Sequence, residues 1–447
     1  MKKVITYGTF DLFHQGHINI LKRAKEYGDY LIVGVTTENY DLQRGKLNVH
    51  CSLMERIKDV ENSGYADEII IEEYAGQKIE DILKYDVDIF VIGSDWIGKF
   101  DYLKEYCEVV YLESTKGISS TELRTKKSPI LQLGIVGSGR IANRFIYESK
   151  YVSGIDVGGV FNPNESSARE FKLKNELLFY ETIWDNFLDK VDAVYIATPH
   201  IYHYEYTKKA LINKKHVLCE KPLALKKEEA EELFELAKKN NVVLMEAIKT
   251  AYSPAFNHLI RLAKSGVIGS IVDVEASFTM LKSGNIRELD VSLGGGSVTE
   301  IASYPLLPIL KIFGTEYENI MFYSKIDKNI DLFTRGIIKY PTGVASFKVG
   351  LGVKTEGDLI ISGTKGYIYV QSPWWKTEHF EIRYEDLNKT QKYFYKFEGD
   401  GLRYEISYFL KLIQGVLNKN DIILEKESIV IAEIIESFLS RKNVKLL

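Results

Sequence analysis

Two histidines three residues apart, His14 and His17, lie between an apolar run (Val4-Ile5-Thr6) and a helical repeat (Ile18, Leu21, Ala24). A strand, a turn and a helix in that order place both imidazoles at a helix N-terminus, where unpaired N–H groups and the helix dipole favour anions. Gly16 lets the backbone approach a ligand, and each ring can donate to a phosphate oxygen. The chemistry predicted here is nucleotidyl transfer: an acceptor phosphate attacks the α-phosphorus of a nucleoside triphosphate and expels pyrophosphate. Because the nucleophile is already an anion, catalysis reduces to positioning and charge neutralisation. A site rich in His, Lys and Arg, without a nucleophilic side chain, is what that reaction needs.

A second set of residues suits hydride transfer. Gly137-Ser138-Gly139-Arg140-Ile141-Ala142 follows the strand-like run Ile130–Val136 and opens a helix, and a second strand, Ile155–Phe161, comes about twenty residues on. Small residues at such a turn let a dinucleotide pyrophosphate meet the helix N-terminus. An acid normally ends the second strand and binds the ribose 2′-hydroxyl. Here Asn162-Pro163-Asn164 stands in its place, so a 2′-phosphate is not repelled, and Arg140 or Arg169 could neutralise it. The expected cofactor is NADP or NAD, with NADP favoured. Further strands end in Thr198-Pro199-His200, with His203 following, and in Glu220-Lys221-Pro222. Reduction of a ketone leaves charge on oxygen, so a proton donor and a cation lower the barrier. Tyr304 is the candidate acid, with Lys221 lowering its pKa or orienting the carbonyl, and Lys249 is a candidate for a substrate phosphate.

The elements that must position these groups divide the 447 residues into three expected domains: 1–126, 130–248 and 249–447. Strand and helix signals alternate in the first two, predicting α/β folds with parallel sheets. From about residue 249 long alternating strands (271–278, 343–349, 366–370) predict an α+β domain with an open, mostly antiparallel sheet, closed by helices at 404–415 and 427–439. Trp374 and Trp375 are read as packing residues. The net charge of −4, without a basic stripe, argues against nucleic acid as a partner. No run of about 20 apolar residues would cross a membrane. Cys51, Cys107 and Cys219 are isolated and odd in number, which fits the cytoplasm better than a disulfide framework.

Residues 1–124 resemble the glycerol-3-phosphate cytidylyltransferases. The resemblance implies a Rossmann-like nucleotidyltransferase domain that binds CTP through Thr9, Phe10, His14, Gly16, His17, Lys46 and the segment Thr115, Lys116, Gly117, Ile118 and Ser119. It gives Asp11, Arg56 and Asp95 further functional roles, and it puts acceptor-phosphate contacts on Arg44 and Lys78. No dedicated metal site is expected; Mg²⁺ would arrive on the CTP phosphates, held by Asp11 or Asp95. Three positions depart from the family pattern. Ser114 replaces an arginine, with Lys116 standing in for its charge, Gly64 replaces a basic residue, and Ala75 replaces an aromatic one. Each change removes bulk or charge near the acceptor, which suggests an acceptor larger than, or isomeric with, sn-glycerol 3-phosphate.

Residues 130–447 resemble the Gfo/Idh/MocA oxidoreductases through the glycine turn, Thr198-Pro199-His200, Glu220-Lys221-Pro222 and Gly294-Gly295-Gly296 with Glu300 and Tyr304. The resemblance implies a catalytic Lys221, a dinucleotide site over Gly137 to Ile141, Asn162, Thr198 to His200 and Glu220, and a homo-oligomer built through the open sheet. The combined expectation is a bifunctional enzyme. A ketose or ketotriose phosphate is reduced to a polyol phosphate, and the product is coupled to CMP as CDP-glycerol or CDP-ribitol, of the kind used for teichoic acid or capsule. Oxidation of a sugar or of the CDP-linked product, or one half serving only for binding or oligomerisation, stays open at this point.

Overall fold

The computed structural model describes residues 1–43, 49, 51–74, 76–113, 130–284, 286–415 and 425–447. The chain forms two compact units, Met1–Ile130 and Leu131–Leu447.

In the first unit, strands β1 (Lys3–Gly8), β2 (Tyr30–Thr36), β3 (Glu68–Glu72), β4 (Ile89–Gly93) and β5 (Glu108–Leu112) form one parallel sheet in the order β3-β2-β1-β4-β5. β1, β2 and β4 are continuous apolar runs because helices cover both faces, as the two buried clusters on either side of the sheet show. The order reverses between β1 and β4, so the crevice for a ligand opens where the loops after these two strands part. Gly34 is required for close packing: a Cβ there would stand 2.1 Å from the Tyr7 ring, which lies flat across β2.

The second unit begins with a six-stranded parallel sheet. Its strands are β6 (Leu131–Val136), β7 (Ile155–Phe161), β8 (Phe179–Glu181), β9 (Ala193–Ile196), β10 (His216–Glu220) and β11 (Leu244–Ala247), in the order β11-β10-β9-β6-β7-β8. The reversal falls between β6 and β9, beside the glycine turn. A nine-stranded sheet follows, from β12 (Ile271–Thr279), β13 (Asn319–Asp327), β14 (Ile330–Tyr340), β15 (Gly343–Gly350), β16 (Leu359–Gly363), β17 (Tyr367–Val370), β18 (His379–Arg383), β19 (Gln391–Phe394) and β20 (Val444–Leu446). It is antiparallel except at β12–β15 and β13–β20. The apolar helix Ser303–Phe313 packs on β12 and β15 and covers one face.

Helices Leu402–Ile413 and Glu425–Leu439 return to the dinucleotide domain, packing on helices Arg140–Ser149 and Lys227–Asn240. The first return is locked by a buried bidentate ion pair, in which Arg403 donates to the two Glu148 carboxylate oxygens at 3.0 and 2.8 Å. A pair out of water holds only while both partners remain. Among the described residues no helix is long and apolar enough to cross a membrane.

Candidate active sites

The histidine turn of the first unit is built as the spacing predicts. His14 has extended backbone and caps helix Gln15–Lys25, its Nδ1 accepting the Gly16 N–H at 3.0 Å. That bond leaves the proton of a neutral imidazole on Nε2, ready to donate to an anion. The His17 ring stacks on it at 3.9 Å and meets Phe10 edge-on at 5.4 Å. The first turn carries no acidic side chain, while Lys22, Arg23 and Lys25 stabilise the far end. Phe10 has a φ of +53°, and its ring lies so close to Gly8 that a Cβ there would come within 2.9 Å. This turn is strained to bring aromatic and imidazole rings together.

The neighbours of the turn hold it in place. Thr9 donates to Asp41 at 2.9 Å, and Asp11, 1 % exposed, accepts the Cys51 N–H at 2.9 Å. Arg56 corrects the expectation of a nucleotide contact. It is 0 % exposed and donates to the carbonyls of Thr9, Thr36 and Cys51 at 2.9, 2.7 and 2.9 Å. A guanidinium sealed beneath the loop fixes the loop's shape and does not reach a ligand above it. Lys78 is also buried, paired with Glu72 and lying 4.5 Å from the Tyr7 ring centroid. Tyr7 donates to Asp81 at 2.9 Å; burial, then that carboxylate, push its phenol pKa far up. Arg44, Lys46, Ala75, Thr115, Lys116, Gly117, Ile118 and Ser119 lie outside the described residues, as does the side chain of Asp95.

In the second unit the residues singled out gather on one cavity of about 880 Å³. Gly137 to Ile141, Asn162, Thr198, Pro199, His200, Glu220, Lys221, Lys249, Glu300 and Tyr304 all line it. Gly137 has φ +99°, and an added Cβ would sit 2.7 Å from the Ala197 carbonyl oxygen, so only glycine fits the turn. At Gly139 a Cβ would meet nothing within 4 Å, and the helix that starts there has no side-chain cap and no acid in its first turn. Open space above uncapped N–H groups suits a pyrophosphate. Asn162, at the end of β7, donates to Ser138 Oγ at 2.8 Å and presents no charge. Arg140, expected with Arg169 as an alternative to face a 2′-phosphate, lines the cavity and is paired with Glu288 at 3.1 Å.

Deeper in the cavity Lys221 donates to the Glu300 carbonyl at 2.7 Å, with its amine 5.9 Å from the Tyr304 ring centroid. The Tyr304 phenol is held well above its ordinary pKa by burial and by Glu220 and Glu405, with Arg144 opposing. Of the two expected roles for Lys221, lowering the Tyr304 pKa or orienting the carbonyl, the first is not among the influences on the phenol. Glu220 accepts from Tyr195 at 2.5 Å, and burial raises its pKa. His203 has a carbonyl at each ring nitrogen, Pro222 at 2.7 Å and Thr198 at 2.9 Å, contacts that favour the imidazolium; burial outweighs them and pulls the pKa down to about 4. A neutral ring has a single N–H and so donates to one of these two carbonyls. His200, also buried, is 3.6 Å from Glu300, and burial, then Lys221, hold its pKa well below the usual range.

Several cavity residues escaped the sequence reading. Arg287 grips Glu300 with both guanidinium ends, at 2.7 and 3.0 Å. Arg144 lies one turn beyond Arg140 on the same helix, a spacing that could have flagged it. Lys376 and Trp375 come from an irregular segment and carried no signal. Trp375, read as packing, in fact lines the cavity and stacks on Phe278 at 3.6 Å, while Trp374 is fully buried. Lys249 lies within the same cleft, as expected.

Comparisons with known proteins divide the chain in the same way. A cytidylyltransferase-like family model matches residues 5–126, and a model for an oxidoreductase family with an NAD-binding Rossmann fold (Gfo/Idh/MocA) matches residues 131–248. Glycerol-3-phosphate cytidylyltransferase of Bacillus spizizenii is 56% identical over 124 residues, which is 28% of this chain and 95% of that protein. The scyllo-inositol 2-dehydrogenase (NADP(+)) IolU of Bacillus subtilis is 29% identical over 266 residues, 58% of this chain and 80% of that one. Among solved structures, the 3-ketoreductase KijD10 of Actinomadura kijaniata, in complex with NADP and TDP-benzene, superposes with a TM-score of 0.63 at 20% identity. It covers 71% of this chain and 98% of its own, and it shares the fold.

Proposed function

We propose that two consecutive activities share this chain, whose first unit belongs to the glycerol-3-phosphate cytidylyltransferase family and whose second is matched over residues 131–248 by the Gfo/Idh/MocA oxidoreductase model. In this reading the second unit reduces a ketose or ketotriose phosphate to a polyol phosphate. The first unit then joins that product to CMP from CTP, giving a CDP-polyol of the CDP-glycerol or CDP-ribitol type for teichoic acid or capsule. The observation that supports this reading is the geometry of the cleft, in which the Lys221 amine lies 5.9 Å from the Tyr304 ring centroid. A phenol in that position supplies a proton to a developing alkoxide. Lys221, tethered to the Glu300 carbonyl, keeps positive charge beside the same oxygen. When bound, the reduced nicotinamide supplies the hydride.

NADP is the proposed cofactor, because Asn162 leaves the ribose end of the cleft without a carboxylate. The relative named as an NADP(+)-dependent scyllo-inositol dehydrogenase supports both that choice and a polyol as product. At the first site His14 and His17 neutralise the triphosphate, Mg²⁺ accompanies CTP, and Arg44 takes the acceptor phosphate, Lys78 being buried against Glu72. The residue changes at Ala75 and Ser114 suit an acceptor longer than glycerol phosphate, whereas Gly64 precedes β3 at the sheet end away from His14 and has no part in it. The enzyme is proposed to be a cytoplasmic homo-oligomer that associates through the nine-stranded sheet. A second reading has the second unit oxidise the CDP-linked product. NADPH oxidation by dihydroxyacetone phosphate or ribulose 5-phosphate without CTP separates the two: turnover supports reduction first, and turnover only with a CDP-linked compound rejects it.

A further inference from the structure

One wall of the redox cavity concentrates positive charge. Elsewhere in the cleft the charges are matched: Arg287 grips Glu300, and Arg140 pairs with Glu288. On the remaining wall three cations converge on Asp400, with Glu405 and Glu220 also near Lys249. Arg144 Nε is 3.7 Å from one Asp400 carboxylate oxygen, and Lys376 Nζ is 3.4 Å from the other. Lys249 Nζ donates to the Asp400 backbone carbonyl at 2.6 Å. Against Asp400 alone the three cations leave a formal charge of +2, the complement of a phosphate monoester dianion. The cluster is assembled from three distant parts of the chain: the cofactor helix, the turn after β11, and the segment that follows Trp374.

The cluster is also placed for substrate. Tyr304 meets Phe278 at 5.2 Å, Phe278 stacks on Trp375 at 3.6 Å, and Lys376 follows directly in sequence, so proton donor and cations share one wall. Burial, then the neighbouring Lys376, hold the Lys249 amine below its ordinary pKa, as two crowded ammonium groups should be; Asp400, Glu405 and Glu220 oppose this. Burial, then Glu220, hold the Glu405 pKa well above the ordinary carboxylate range.

We propose that Arg144, Lys249 and Lys376, arranged around Asp400, form the binding site for the phosphate monoester of the carbonyl substrate. This rests on reading the second unit as a reductase of phosphorylated ketoses, and it deepens that reading. The phosphate docks on the cations while the carbonyl lies against Tyr304. Phosphate contacts of this kind are charge-assisted and strong, and they give an unphosphorylated ketose no comparable hold.

The test uses the full chain and two variants, Lys249→Gln and Lys376→Gln. Each should lower kcat/KM for the phosphorylated ketose about 100-fold, equivalent to about 2.7 kcal/mol, and should collapse its advantage over the dephosphorylated ketose. Inorganic phosphate, followed through the fluorescence of bound NADPH and therefore reporting on this cleft alone, should titrate the wild type. In each variant the midpoint should rise at least about tenfold. Wild-type midpoints kept by both variants overturn the site even if ketose phosphates are reduced. A phosphate response lost in both variants upholds the site even if no ketose phosphate is turned over and the reductase reading fails. Tighter competition by a CDP-polyol than by the free polyol phosphate, lost in the same variants, overturns the monoester assignment in favour of a diphosphate.

Discussion

Replacing Asn162 with aspartate should reverse the cofactor preference. Asn162 follows the last residue of β7 and spans the glycine turn to Ser138 through a 2.8 Å hydrogen bond. Aspartate has the same shape and adds one negative charge. With NADP, that charge would face the 2′-phosphate in a half-exposed site. Between the dielectric limits of water and a protein surface, each unit-charge pair near 4 Å costs about 1–4 kcal/mol. With NAD, the same carboxylate accepts from the 2′-hydroxyl, a charge-assisted bond worth about 1.5–3 kcal/mol. Together the two effects, about 2.5–7 kcal/mol, shift the ratio of affinities by about 10²- to 10⁵-fold toward NAD. The assay is fluorescence titration of NADPH and NADH on the wild type and Asn162→Asp, which needs no knowledge of the substrate, followed by kcat/KM for both cofactors. A ratio that moves less than about threefold, or a wild type that already binds NADH better, refutes the argument.

Other outcomes follow from the same geometry. His14→Ala removes both the helix cap and an anion donor, and cytidylyl transfer should fall about 10²- to 10³-fold in a pyrophosphate-release assay while NADPH oxidation continues. Arg403→Met strands the buried Glu148 carboxylate and should destabilise the second unit by about 3–5 kcal/mol in denaturant unfolding, the double variant Glu148→Gln/Arg403→Met recovering much of that loss. Burial raises Glu246 to a pKa of about 7 in the fold from the ordinary 4.5. The folded state therefore holds a proton that the unfolded chain releases: its stabilising effect is complete below pH 4.5 and is lost as pH rises through 7. The loss reaches about 3 kcal/mol at most, and Glu246→Gln should flatten this slope in melts between pH 4.5 and 8.

What the sequence disclosed, and what it did not, follows a physical division. The turns at His14–His17 and Gly137–Gly139 are local: a strand, a tight turn and a helix start follow one another along the chain, so residue type and spacing suffice to locate them. The strand order of the mixed sheet and the cation cluster are not local. Arg144, Lys249 and Lys376 are brought together from segments more than 100 residues apart, with Asp400 reaching in from further along the chain, and in sequence each is an ordinary charged residue. Arg56 shows the opposite failure. Its charge is visible in sequence, but its complete burial under the Thr9 carbonyl is not, so a loop brace resembled a phosphate contact. Trp375 was assigned to packing with Trp374 because adjacent tryptophans look alike until the backbone turns one inward and the other toward the cavity.

The most direct test of consecutive chemistry is a single incubation of the full chain with CTP, NADPH, Mg²⁺ and a ketose phosphate, resolved by mass spectrometry. The account predicts a CDP-polyol, with one pyrophosphate and at least one NADP⁺ formed for each, only polyol phosphate and NADP⁺ when CTP is withheld, and neither product when NADPH is withheld. NADPH consumed with no CDP-linked product from any polyol phosphate formed, or a CDP-linked product formed without NADPH, would contradict it.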